Sequence, residues 1–237
     1  MPGFKSIRAR AAKRKGGDAA LAALLPNAAT PAELAAVPDD RMLAEMSRRI
    51  FCAGFAWTVI DKKWPGFEAA FLRFDPPRLL QEPPEFWDAL TADPRIVRNG
   101  AKIMSVAANA RFITEIAAEH GSFGGFLADW PAANQIGLLE LLAKRGSRLG
   151  GNTGQYFLRF IGKDGFILSR DVVRCLRDAG LEIAEPPTSK KDLAQVQRQF
   201  NAWAAETGLP YTHLSRICAM SIGENYPAER LHAYMSE

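Results

Sequence analysis

Apolar residues recur at three- and four-residue steps through most of this chain, and no stretch alternates for long enough to predict a strand. Asp39 or Asp40 is placed to cap a helix carrying Leu43, Met46, Ile50 and Ala53. Gly54 loosens it, and Trp57, Ile60 and Trp64 continue the apolar content. Pro65 suits the first turn of a further helix with Phe67, Ala70, Phe71 and Phe74, ended by Asp75-Pro76-Pro77. Pro83-Pro84 open a short helix with Phe86, Trp87 and Leu90. The pattern Ile103, Val106, Ala110, Ile113, Ile116 predicts a long helix from Gly100 to His120, stopped by Gly121. A helix bearing Leu138, Leu139, Leu141 and Leu142 ends near Gly146, and another carries Tyr156, Phe157, Phe160 and Ile161. Further helices are expected from Ser169 to Gly180, after Ser189 with Leu193, Val196, Phe200 and Trp203, and around Leu214, Ile217 and Cys218. The alanine-rich stretch 17–37, broken by Pro26 and Pro31, reads as short helices or an extended wrap. The fold class is all-α.

Composition narrows the class. With 237 residues, 48% of them hydrophobic and 24% charged, the chain buries a substantial core as one large domain or two small lobes. Wholesale disorder is excluded. The N-terminus lacks a hydrophobic signal core and no run of apolar residues is long enough to span a bilayer, so no membrane partner is expected. Cys52, Cys175 and Cys218 are odd in number and far apart, which fits a reducing cytoplasm rather than a disulfide framework.

Charge is distributed unevenly. Residues 1–17 hold Lys5, Arg8, Arg10, Lys13, Arg14 and Lys15 and no acid, whereas the remaining 24 basic and 26 acidic residues leave the rest of the chain at −2. Residues 1–17 therefore read as a basic, flexible arm ahead of a helical domain at 18–237. It either neutralises nucleic-acid phosphates without sequence preference or is a solvated tail.

The turn Gly150, Gly151, Asn152, Thr153 and Gly154 joins two helices. Without side chains at several positions, such a turn exposes backbone N–H groups, and the following helix N-terminus adds positive partial charge. It is a candidate phosphate-binding element or an ordinary helix–helix turn. Phosphate contacts of this kind hold DNA in place but read no bases. No Ser–His–acid set, Walker loop or dinucleotide fingerprint is present, and no cofactor is implied.

Residues 149–180, with a glycine hairpin, an apolar helix, Gly162, the run Phe166-Ile167-Leu168 and a new helix at Ser169, resemble the helix-hairpin-helix element of the base-excision DNA glycosylases related to endonuclease III. Between 42 and 130, the stretches Ala53-Gly54-Phe55-Ala56-Trp57, Phe71-Leu72-Arg73-Phe74-Asp75-Pro76, Ile96-Val97-Arg98-Asn99 through Lys102-Ile103, and Asn109-Ala110-Arg111 resemble the 3-methyladenine DNA glycosylase I family. Together these imply a two-lobed helix-hairpin-helix glycosylase fold, with lobes at about 38–135 and 136–237 and a base pocket between them. They also imply a monomer acting on double-stranded DNA, which extrudes a damaged base and hydrolyses its N-glycosidic bond through an oxocarbenium-like transition state.

The same resemblance assigns residues. Trp57 matches the aromatic that stacks on the damaged base, with Phe51 lining the cavity or packing in the core. The family's pocket glutamate falls at Arg49, whose guanidinium has donors and no acceptor; it suits a phosphate, an abasic backbone or a base with carbonyl acceptors, or is a helix-surface arginine. Ser169 stands at the expected catalytic aspartate, and either positions water or is an N-cap. Asp171, two residues on, is a substitute or a first-turn acid. Of the family's structural zinc ligands only Cys175 is matched, Asp171 replacing its histidine partner, and residues 1–51 contain no Cys or His, so no metal is expected. The rival expectations are a catalytically silent, lesion-binding protein of the same fold and a helical scaffold that touches no nucleic acid.

Overall fold

A computed structural model describes residues 3–227, and among them every regular element is helical. The chain divides into two compact units, neither contiguous in sequence. One comprises the chain up to Ala28, Ala132–Ile136 and the part from Asp164 onward; the other comprises Ala29–Pro131 and Gly137–Lys163. The expected boundary near 135/136 is therefore corrected: the 149–154 hairpin belongs with Trp57 and not with the C-terminal helices. No helix among the described residues is long and apolar enough to cross a membrane.

The larger unit is built around the helix Gly100–His120, whose Ile103, Val106, Ala110, Ile113 and Ile116 are buried as the spacing predicts. Asn99 caps it, its side chain accepting from the Lys102 N–H, and Gly121 ends it at φ 86°. Against it lies the helix Asp39–Cys52. Its N-cap is Pro38, which has no side-chain acceptor, so neither aspartate is the cap; Asp39, in the first turn, accepts from the Phe123 N–H. The next helix, Trp57–Ala70, corrects a second expectation: it runs through Pro65 rather than starting there. Proline removes one hydrogen bond from a helix interior. The compensation here is aromatic packing on both sides: Trp64 stacks on Phe67 at 5.5 Å and on Phe74 at 5.3 Å. The chain then leaves the helix through a left-handed turn at Leu72, Arg73 and Phe74, with φ between 53° and 59°.

The smaller unit joins the two ends of the chain. The helix Phe4–Lys15 buries Phe4, Ile7, Ala11 and Ala12, with the Phe4 ring 5.2 Å from Trp203. Its cations bind the C-terminal segment: Arg10 pairs with Asp178 at 2.7 Å, and Arg14 donates to the Met220 and Gly223 carbonyls at 2.9 and 2.7 Å. Lys15 donates to the Tyr226 carbonyl at 2.7 Å. The basic flexible arm is thus a docked helix. An apolar i, i+3, i+7 stripe fixes it in the core, and part of its charge caps carbonyls past the end of the helix Tyr211–Ser221. The helix Lys190–Thr207 starts at its Ser189 cap and ends at Gly208 in the left-handed conformation, as its sequence indicates.

Candidate functional site

A cavity of about 230 Å³ opens beside Trp57 in the larger unit, lined among others by Arg49, Cys52, Trp57, Asn152, Thr153 and Tyr156. All of these residues lie in one unit, so the expected location between two lobes is replaced by a pocket built within the larger one. Two sequence-predicted features meet here: the indole, and the first two residues of the helix that follows the glycine turn.

The turn's shape follows from its glycines. Gly151 takes φ 58° and ψ −137°, a conformation costly for any residue with a Cβ, and it offers no side-chain cap to the helix Asn152–Phe160. A Cβ on Gly154 would stand 2.3 Å from the Leu149 carbonyl oxygen, so the turn closes only around glycine. Two other contacts hold it. Asn109 accepts from the Ser147 N–H at 2.7 Å and donates to the Ser147 carbonyl at 3.0 Å. Arg148, at φ 60°, donates through Nε to the Ala101 carbonyl at 3.2 Å.

The opposite wall is held by the same long helix. Lys102, buried near its start, donates through Nζ to the Ala53 carbonyl at 2.6 Å and the Phe51 carbonyl at 3.2 Å. Burial lowers the pKa of its amine, with the nearby Arg148 charge adding to the effect. Lys102 and Asn109 lie in stretches that carry the family resemblance. The structure gives their physical role: one helix fixes both the pocket loop and the hairpin at a set distance. Neither was singled out as a site residue. A lysine at the start of an apolar helix has no local signature that distinguishes it from an ordinary surface lysine.

Trp57 is half-buried, its ring edge-on to Tyr156 at 5.3 Å and to Phe160 at 5.6 Å. Tyr156 and Phe160, apolar helix positions by their spacing, brace the indole. Arg49 is 3% exposed, with its guanidinium carbon 3.9 Å from the centre of the Phe160 ring and 4.9 Å from that of Trp57. It is no helix-surface residue. One turn earlier, Glu45 reaches its Nε at 2.6 Å, an ionic contact not aligned as a hydrogen bond. Burial raises the Glu45 carboxyl to about 7, against the opposing charges of Arg49 and Arg48. Glu45 was missed because nothing in its sequence context distinguishes it from a solvated helix acid.

Phe51 is corrected. It is 0% exposed and packs on Phe67 at 4.6 Å, within the core and not at the cavity. Cys52 does line the cavity, and burial pushes its thiol up to about 11, so it stays protonated.

Ser169 and Asp171 lie in the other unit. Ser169 is the N-cap of the helix Arg170–Asp178, accepting from the Val172 N–H at 3.4 Å. Asp171 sits in the first turn, its carboxylate against Gly223, where an added Cβ would come within 2.3 Å. Cys175 is hydrogen-bonded to Ser221 at 3.4 Å. Its thiol is lowered to about 7, first by hydrogen bonding with Cys218 and then by Ser221 and Arg10, against burial. An adjacent guanidinium is the wrong charge beside a zinc site, and no group of three potential ligands occurs among the described residues. The residues do not fit the family's zinc.

Residues 35–139 match the family model described as methyladenine glycosylase. Among solved structures, the chain is similar to 3-methyladenine DNA glycosylase I from Staphylococcus aureus at 25% identity, over 53% of this chain and 77% of that one, with a TM-score of 0.47. A variant of 3-methyladenine DNA glycosylase I in complex with 3-methyladenine matches at 25% identity over 54% and 80% of the two chains, TM-score 0.47. Over residues 35–139 the chain is similar to the methyladenine glycosylase family.

Proposed function

We propose that this protein is a DNA glycosylase of base excision repair, acting as a monomer in the cytoplasm on double-stranded DNA. Backbone N–H groups at Asn152, Thr153 and Gly154 hold a phosphate, while the damaged nucleotide swings out and its base enters the cavity to stack on Trp57. The observation that supports this most is the shared wall: Asn152 and Thr153 line the same cavity as Trp57, so a backbone grip and a base slot adjoin.

The cavity of about 230 Å³ falls below the roughly 300–1,000 Å³ of pockets for drug-sized ligands, a size suited to a single planar ring system. Water is the nucleophile. The cavity supplies stacking and hydrogen bonds to the departing base, and the reading requires no group from Ser169 or Asp171. The test is a panel of duplexes carrying alkylated or deaminated bases, scored by mass spectrometry for freed base. Release that is abolished in Trp57→Ala, with folding and DNA binding retained, is the expected result. Binding without release across the panel identifies a silent lesion reader instead.

A further inference from the structure

Among the described residues lining the cavity, Arg49 is the one with a charged side chain, and its environment leaves it incomplete. Its Nη1 is buried with no hydrogen-bond acceptor among the described residues. The Glu45 contact satisfies charge but not direction: Arg49 Nε and Glu45 Oε1 lie 2.6 Å apart without an aligned bond. Phe160 and Trp57 hold the guanidinium plane through their rings and offer no lone pair. A buried donor that lacks an acceptor is costly to keep, and a ligand oxygen relieves the cost.

We infer that Arg49 makes this cavity selective for a neutral base bearing a carbonyl oxygen, an oxopurine or oxopyrimidine, over a cationic alkylated base; the inference rests on the glycosylase reading. A guanidinium offers only N–H donors and a positive charge. It repels a cationic, amine-bearing base and binds a carbonyl oxygen through charge-assisted hydrogen bonds.

Its effect extends to bond cleavage. When the glycosidic bond to a neutral base breaks, the bonding pair passes to the base nitrogen and the base departs as an anion, its charge spread onto the carbonyl oxygen that faces Arg49. Water adds to the anomeric carbon and gives up a proton, and the released base takes one up, so the products are a neutral base and an abasic sugar. A fixed cation at the position where negative charge develops favours this step more than it favours the bound substrate. A cationic base leaves as a neutral molecule and gains nothing from it. The Cys52 thiol in the same wall stays protonated and adds no competing anion.

The experiment uses the full chain and duplexes containing hypoxanthine, uracil or 3-methyladenine, with single-turnover release for the wild type, Arg49→Met and Arg49→Lys. Hypoxanthine or uracil is expected to be freed faster than 3-methyladenine. Arg49→Met is expected to slow release of the carbonyl bases by about a hundredfold, the size of effect seen on removing one preorganised donor. Release of 3-methyladenine should slow far less than release of the carbonyl bases, so that the preference between them narrows or reverses, with Arg49→Lys in between. A wild-type preference for 3-methyladenine, or an equal loss on all three duplexes in both variants, overturns the inference. If the wild type frees no base at all, the glycosylase reading fails. The selectivity is then read from saturation-transfer NMR with free hypoxanthine and free 3-methyladenine, where tighter binding of 3-methyladenine overturns it and Arg49-dependent binding of hypoxanthine upholds it.

Discussion

Asn109 and Ser147 exchange two hydrogen bonds, the side-chain amide of one closing on both the N–H and the carbonyl of the other. Asn109 is wholly buried in the middle of the longest helix, and Ser147 opens the glycine turn. The helix thereby sets the hairpin's position. Asn109→Ala leaves both Ser147 backbone groups without their partner, at a cost of about 1–3 kcal/mol. Chemical denaturation should show that loss, and salt titrations of DNA binding should show weakened affinity in the same variant.

The glycines of the turn are not equivalent. A methyl at Gly154 would meet the Leu149 carbonyl oxygen at 2.3 Å, whereas at Gly150 its nearest neighbour is the Ala143 methyl at 3.8 Å. Gly154→Ala is expected to abolish DNA binding measured by fluorescence anisotropy. Gly150→Ala should bind within about twofold of the wild type, since its added carbon meets only ordinary contacts and surface changes of this kind are small.

Glu45 gives a pH signature. Its carboxyl is raised to about 7 in the fold by burial, against 4.5 ordinarily. Between those values the native state holds a proton that the unfolded chain has lost, so stability is highest below the lower value and falls as pH rises through the upper one. The shift corresponds to about 3 kcal/mol. Urea midpoints measured across this range should fall with rising pH in the wild type, and Glu45→Gln should flatten the trend.

The helix Phe4–Lys15 is structural. Phe4 is fully buried against Trp203. Phe4→Ala should cost about 3–5 kcal/mol in thermal or urea unfolding, the usual range for removing a core aromatic. A flexible arm would show no change.

Much of this was legible from spacing. The helix Gly100–His120 and its five buried positions follow from a clean three-and-four period with glycine at its end. The glycine turn is legible in its run of glycines, and Trp57, which the resemblance singles out, lines the cavity. What spacing did not reveal is long-range pairing. Phe4, Ile7 and Ala11 form a stripe, but basic residues between them mask it, and its partner helices lie some two hundred residues away. Phe51 and Arg49 are two positions apart on one helix, and only the fold shows which faces the core and which the cavity. Pro65 reads as a helix start because local geometry favours it there; the stacking of Trp64 on Phe67 and Phe74 overrides that preference.

The proposed reaction needs a base in the slot at Trp57 while the hairpin grips its strand. The most direct measurement is a crystal structure of the full chain on a duplex carrying an abasic-site analogue, soaked with free hypoxanthine. The expected result is the ring stacked on Trp57 with its oxygen on Arg49, and a phosphate at the N–H groups of Asn152–Gly154. A duplex bound elsewhere, or a slot that stays closed to the ring, contradicts it.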